Sequence, residues 1–265
     1  MLDRIALTAN IWTAIIGVVV VILILAVGEG RAEGSDTSQR VNRATNPGAF
    51  AAVLLWGLWW FTLIVIYLNV DRLQYGLLLC ILDIGNIALL LAAYGLWTQA
   101  KFSWSHQFAF YLFLAAAVLC VWDFALGMMV GVDGVSYRLF VISPSQVVAS
   151  VSLVALGAAA MAVYKRRAVP FLIFTCLYAV IQMPAYFANL IAPQIQPAIS
   201  DPYGAMMRLV TAAGKVVFLL TFTSLLLSAP DGQKQWWGRA ADVLSLLFAI
   251  AILLARLGIL TSLTE

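Results

Sequence analysis

Charge is scarce in this chain. Only 10% of its 265 residues are Asp, Glu, Lys or Arg, whereas 64% are hydrophobic and the mean hydropathy is +0.99. A soluble domain carries about 25% charged residues, so most of this surface faces lipid. Histidine is almost missing. The single His106 falls at a loop edge, which excludes a bis-histidine haem, a His-rich metal site and a Ser/His pair within the bilayer. The chain also lacks G-x-x-x-x-G-K-[ST], H-E-x-x-H and a paired-Glu motif of the intramembrane protease kind. An enzyme is therefore not expected, and neither is a bound metal. Cys80, Cys120 and Cys176 fall on different apolar runs; buried thiols behave as small hydrophobes, and no disulfide framework is expected. The net charge of +3 gives no reason to invoke nucleic acid.

Long apolar runs are what the chain does have. A hydrocarbon core of about 30 Å needs roughly 20 residues at 1.5 Å each. Eight such runs occur, near 8–28, 48–69, 74–97, 107–130, 146–164, 169–192, 205–228 and 240–262. The first has no A-x-A cleavage site after it and reads as a retained helix. The fold class expected is all-α: a single transmembrane domain over 1–265, seven helices plus one C-terminal helix. Lys and Arg concentrate in the odd-numbered loops, clearest in "YKRRAVP" and in the Gly/Ser-rich loop 29–47. The positive-inside rule makes these loops cytoplasmic and puts both termini outside. Pro-containing stretches at 131–145 and 192–204 read as outer loops. A bacterial inner (plasma) membrane is the expected location, with the bilayer as the main partner and a homo-oligomer or membrane-complex subunits as further ones.

Ionisable groups inside a span are costly, and each is a candidate for function. Three stand out: Asp83 in "CILDIGN", Asp123 in "CVWDFAL" and Lys215 in "RLVTAAGKVVFLLTF". Counting from Gln74 and Gly204, Asp83 and Lys215 lie about 14 and 16 Å deep. Opposite charges at similar depth predict a coupled pair. Arg208, Thr211, Lys215, Phe218 and Phe222 share one helical face by i+3 and i+4 steps. Thr175, Tyr178, Gln182, Tyr186 and Asn189 form a polar stripe on the sixth run, which Pro184 interrupts. These groups fit a pocket or hydrated path lined by polar residues. They equally fit helix glue, since a buried ion pair or an amide stripe holds bundles together without further function.

A lysine midway along the seventh helix, entered from outside, resembles the microbial rhodopsins, which carry retinal there as a Schiff base. "LVTAAGKVVFLLTF" is similar to that family's last helix, and "RLQYGLLLCILDIGNIALLLAAY" to its third. The resemblance implies retinal on Lys215, with Asp83, Asp123, Thr211 and Tyr186 around it, in a photosensor or ion mover. A primary amine in a dry pocket suits that chemistry, because the neutral amine attacks an aldehyde. Thr211 and Tyr75 stand where the family has acids, so Asp83 and then Asp123 are the expected counterions. Val180 and Gly76 stand where the family has aromatic walls.

Two other functions fit the same residues. One is a cofactor-free ion or proton transporter, or channel subunit, relaying through Asp83, Asp123 and Lys215. The other is a non-catalytic subunit anchoring a larger membrane complex. All three share one topology, which yields a first expected outcome. Cysteines introduced at Ser35 and Lys165 should resist a membrane-impermeant thiol reagent added to intact cells and react after lysis. Labelling at Ser35 from outside would reverse the orientation.

Overall fold

The computed structural model describes residues 2–29, 47–69, 75–99, 111, 114, 118, 134–179, 201–227 and 235–256. Every regular element among them is helical: α1 (Leu2–Glu29), α2 (Pro47–Asn69), α3 (Tyr75–Trp97), α4 (Gly134–Tyr164), a 3₁₀ turn (Lys165–Ala168), α5 (169–179), α6 (Asp201–Leu226) and α7 (Trp236–Arg256). Among the described residues, four stretches are long and apolar enough to cross a membrane: Leu7–Ala26, Pro47–Asn69, Cys80–Trp97 and Val148–Ala179.

The last of these is folded back on itself. Lys165 has φ 52°, a left-handed conformation that a helix interior does not accept. In one continuous helix Gly157 and Thr175 would be about 27 Å apart. A Cβ placed on Gly157 would instead collide with Thr175 Oγ1 and lie 3.3 Å from Leu172 Cα. So α4 and α5 form an antiparallel hairpin, with Lys165 and Arg166 exposed at its turn. This is the helix break expected at "YKRRAVP".

Most other pairings are antiparallel too. Gly17 packs on Trp60 and Val21 on Gly57, so numbers rise on α1 as they fall on α2. Gly48 against Gly95 and Thr62 against Gly85 give α2 and α3 the same relation. Trp56 meets Phe222 at 4.9 Å and Trp59 meets Phe218 at 5.4 Å, which makes α2 and α6 antiparallel. Phe171 meets Phe222 at 5.4 Å while Tyr178 lies by Gly214, and α5 and α6 follow suit. Helices α1, α3, α4 and α6 therefore run in one direction and α2 and α5 in the other, with α7 packed on α6. The predicted span 107–130 lies outside the described residues except for Tyr111, Leu114 and Val118, which are helical and exposed.

Side-chain stripes explain the packing. On α1, Asn10, Ala14, Gly17, Val21 and Ile24 are buried, whereas Trp12, Ile16, Val19 and Leu23 are exposed. Both stripes repeat by 3 and 4 residues, and both are largely apolar. An exposed apolar stripe is what lipid requires. With lipid as apolar as the core, small residues and close van der Waals fit drive association. The core is a cluster of rings: Trp56, Trp60, Phe171 and Phe222 are fully buried and meet edge-on or stacked.

Several helices begin earlier than expected, α1 at Leu2 and α7 at Trp236 among them. The stretch 131–145, read as an outer loop, is helical from Gly134, and α6 begins at Asp201 inside the predicted loop 192–204. Pro202 is among the prolines expected to block a continuous helix over 192–204. Pro202 sits in a first turn, where its missing N–H costs no helical bond. Pro144 lies within α4, and membrane helices accept an interior proline because other groups satisfy the freed backbone.

The hairpin generates a second expected outcome. Gly157→Leu should overpack the α4–α5 contact and destabilise the protein by about 1–3 kcal/mol. Met161→Leu, at an exposed position of the same helix, should leave stability within about 0.5 kcal/mol. Unfolding midpoints in detergent check both.

Candidate functional site

A cavity of about 230 Å³ lies between α2, α3, α4, α5 and α6. Pockets for drug-sized ligands span roughly 300–1,000 Å³, so this one sits just below that range. Its walls are mostly apolar. Helix α2 contributes Trp59, Leu63 and Ile66; α3 contributes Leu82 and Leu89; Phe174 and Phe218 come from α5 and α6. The polar atoms belong to Thr62, Tyr67, Asn86, Tyr178 and Lys215. Thr62 spends its proton on the carbonyl of Trp59 at 2.7 Å. Gly214 lets two rings approach α6 closely, because a Cβ there would come within 3.0 Å of Tyr178 and 3.1 Å of Phe248.

Lys215 is buried within α6, and its hydrogen bonds reach two other helices. Nζ donates to Asn10 Oδ1 of α1 at 3.0 Å and bonds the Tyr67 hydroxyl of α2. It also lies 4.5 Å from the centroid of the Tyr67 ring. Asn10 is itself buried. Two neutral oxygens therefore receive the amine. They offset the desolvation of an ammonium only in part, since dipoles compensate a buried charge less than an opposite charge does.

The other candidate residues separate. Asp83 is buried in α3, but it is Asn86, one turn further on, that lines the cavity. The hydrogen bonds of Lys215 go to Asn10 and Tyr67 rather than to Asp83, so the expected direct pairing of acid and amine is replaced by an amide and a phenol. Thr211 lies in α6 one turn before Lys215. Asp123 and Tyr186 lie outside the described residues, as do Gln182, Pro184 and Asn189. Of the polar stripe on the sixth run, Tyr178 reaches the cavity, whereas Thr175 is buried and bonds the Leu172 carbonyl at 3.0 Å.

Asn10 and Tyr67 carry no conspicuous sequence signal. Asn10 precedes the apolar core of the first run, and Tyr67 sits near the end of the second, where a belt tyrosine is ordinary. Of the aromatic walls, Tyr178 and Phe218 belong to the faces picked out in the sequence, whereas Trp59 and Phe174 do not. All four stand at positions other than Val180 and Gly76. Burial of Trp56 and Trp60 makes those two packing residues rather than members of a headgroup belt.

These long apolar helices are compatible with an integral membrane protein, and the site is an amine at the wall of an aromatic cavity within the bundle. Comparison with known proteins finds no matching family model, no matching curated protein and no matching solved structure.

The hydrogen-bond pattern sets a third expected outcome. In a double-mutant cycle, Lys215→Met with Asn10→Leu should show a stability coupling of about 0.5–3 kcal/mol. The cycle of Lys215→Met with Asp83→Asn should show a smaller one. Equal coupling in the two cycles would mean that the acid acts on the amine as strongly as its bonded partner does.

Proposed function

We propose that this protein binds an apolar aldehyde covalently at Lys215, with retinal the ligand that the helix-seven resemblance implies, and that it serves as a membrane photoreceptor. The observation that supports this reading is the placement of one primary amine at the wall of a mostly apolar, aromatic-lined cavity. The donor set fits such a ligand. Trp59, Phe174, Tyr178 and Phe218 offer faces and edges for a conjugated chain, and Lys215 offers the nucleophile. Condensation forms a C=N bond between Nζ and the carbonyl carbon, and the carbonyl oxygen leaves as water with the two amine hydrogens. Bound retinal supplies light absorption; the chain supplies the amine, the walls and the exclusion of water.

Within this proposal the chain spans the bilayer eight times with both termini outside. That orientation puts Lys215 on a helix entered from the outer face. The ionisable groups on the described lining are Lys215, Tyr67 and Tyr178, with no carboxylate among them. This lining favours holding a ligand over relaying protons, and it favours a neutral C=N base absorbing in the near ultraviolet.

Protein expressed with all-trans retinal is accordingly expected to gain a near-ultraviolet band that hydroxylamine bleaches and Lys215→Ala abolishes. A visible band instead would mean a carboxylate close to the nitrogen, and Asp83→Asn should then shift it. Protein that stays colourless in both regions and takes up no retinal would rule the photoreceptor reading out.

A further inference from the structure

Nothing in the sequence connects Asn10, Tyr67 and Lys215, yet three helices bring them to one point. We propose that Tyr67 is the proton partner of the Lys215 amine and that Asn10 is its positioning residue, an inference that rests on Lys215 being the carbonyl-binding nucleophile.

The chemistry of the two partners divides the work. An amide oxygen only accepts, whereas a phenol both donates and accepts. Asn10 Oδ1, 3.0 Å from Nζ, holds one N–H of the amine in a fixed direction. Tyr67 can take a proton from nitrogen or return one. A lysine side chain with two of its nitrogen positions held in this way has one left, and the lining of the cavity by both Lys215 and Tyr67 gives that position room for a carbonyl carbon.

The proton balance closes within the site. As the nitrogen lone pair forms the C–N bond, the carbonyl oxygen becomes a hydroxyl and the nitrogen must shed a proton. Tyr67 relays the two Nζ protons in turn: the first makes the carbonyl oxygen a hydroxyl as the C–N bond forms, and the second lets that hydroxyl depart as water as the C=N bond forms. The phenol ends with its own proton restored, and no other reactant is consumed. After condensation, the same O–H donates to the unprotonated nitrogen and holds it neutral. The plain alternative for this contact is a helix tie between α2 and α6, which requires only that the hydrogen bond exist.

The test uses the full-length protein in lipid nanodiscs, with cinnamaldehyde as the probe and cyanoborohydride to trap the C=N bond. Mass spectrometry reads the modification rate at Lys215 across a pH series. Tyr67→Phe is expected to slow trapping by about 10²-fold, as the loss of a positioned acid–base group does, and to change the shape of the pH profile. Asn10→Leu should slow trapping less and leave that shape unaltered. A helix tie would move stability and leave the profile alone, so Tyr67→Phe trapping at the wild-type rate with the wild-type profile overturns the proposal. Should Tyr67→Phe fail to fold, 3-fluorotyrosine incorporated into a Tyr178→Phe background provides the second measurement. Its more acidic phenol should move the profile to lower pH, and an unmoved profile overturns the proposal equally. Wild-type trapping at Lys215 without retinal uptake would remove retinal and keep Tyr67 in its role; no trapping at Lys215 at all would remove both.

Discussion

The ring of Trp60 lies where any side chain on Gly17 would have to be. That contact is the constraint on which the bundle depends. In lipid, two apolar faces gain little from meeting each other, because the solvent is apolar as well. Helices must fit closely to associate, and here bulky rings enter spaces that small residues leave. Val21 sits over Gly57, Thr62 over Gly85 and Thr175 over Gly157. The same logic builds the central ring cluster, in which Trp56 lies edge-on to Phe222 and Phe171 stacks on Phe218. Dense packing on that side is what makes the space beside Lys215 a defined cavity.

Lys215 stands at the border between this packed region and a more polar one. Phe218, one turn on, belongs to the ring cluster and to the cavity wall. On the other side of the amine are Asn10 and Tyr67. An isolated amine on an apolar helix would be costly to bury. The amide and phenol make it tolerable without neutralising it by a carboxylate. This arrangement keeps the nitrogen available for chemistry in a way that a tight ion pair would not.

The resemblance to microbial rhodopsins rests on the sequence alone, and the geometry around the amine stands apart from it. The amine faces a mostly apolar cavity, as retinal chemistry needs. The walls, however, come from Trp59 and Tyr178 in place of the family's positions, and the groups bonding the amine are neutral. A lysine at the right depth is thus accompanied by a different first ring of partners. Asp83 is buried in α3 outside the lining, and Asp123 lies outside the described residues.

Much of the architecture was legible in the sequence, because membrane solvation acts on each run separately. A stretch such as 48–69 must be helical to satisfy its own backbone in lipid, and "YKRRAVP" marks a turn by charge and proline alone. Boundaries at Gly134 and Asp201 were missed, the second because Pro202 looks like a stop although a first helical turn accepts it. The site was half visible. Lys215 and Asp83 announce themselves as charges in apolar runs, whatever surrounds them. Their partners do not, because the inner and outer stripes of α1 and α2 are both apolar and no periodicity separates them. Only the helix crossings decided that Asn10 and Tyr67 meet the amine, that Asp83 does not bond it, and that Trp59 faces the cavity while Trp60 fills the space beside Gly17. Which residues touch depends on close fit between helices distant in sequence, and that fit is a property of pairs of surfaces.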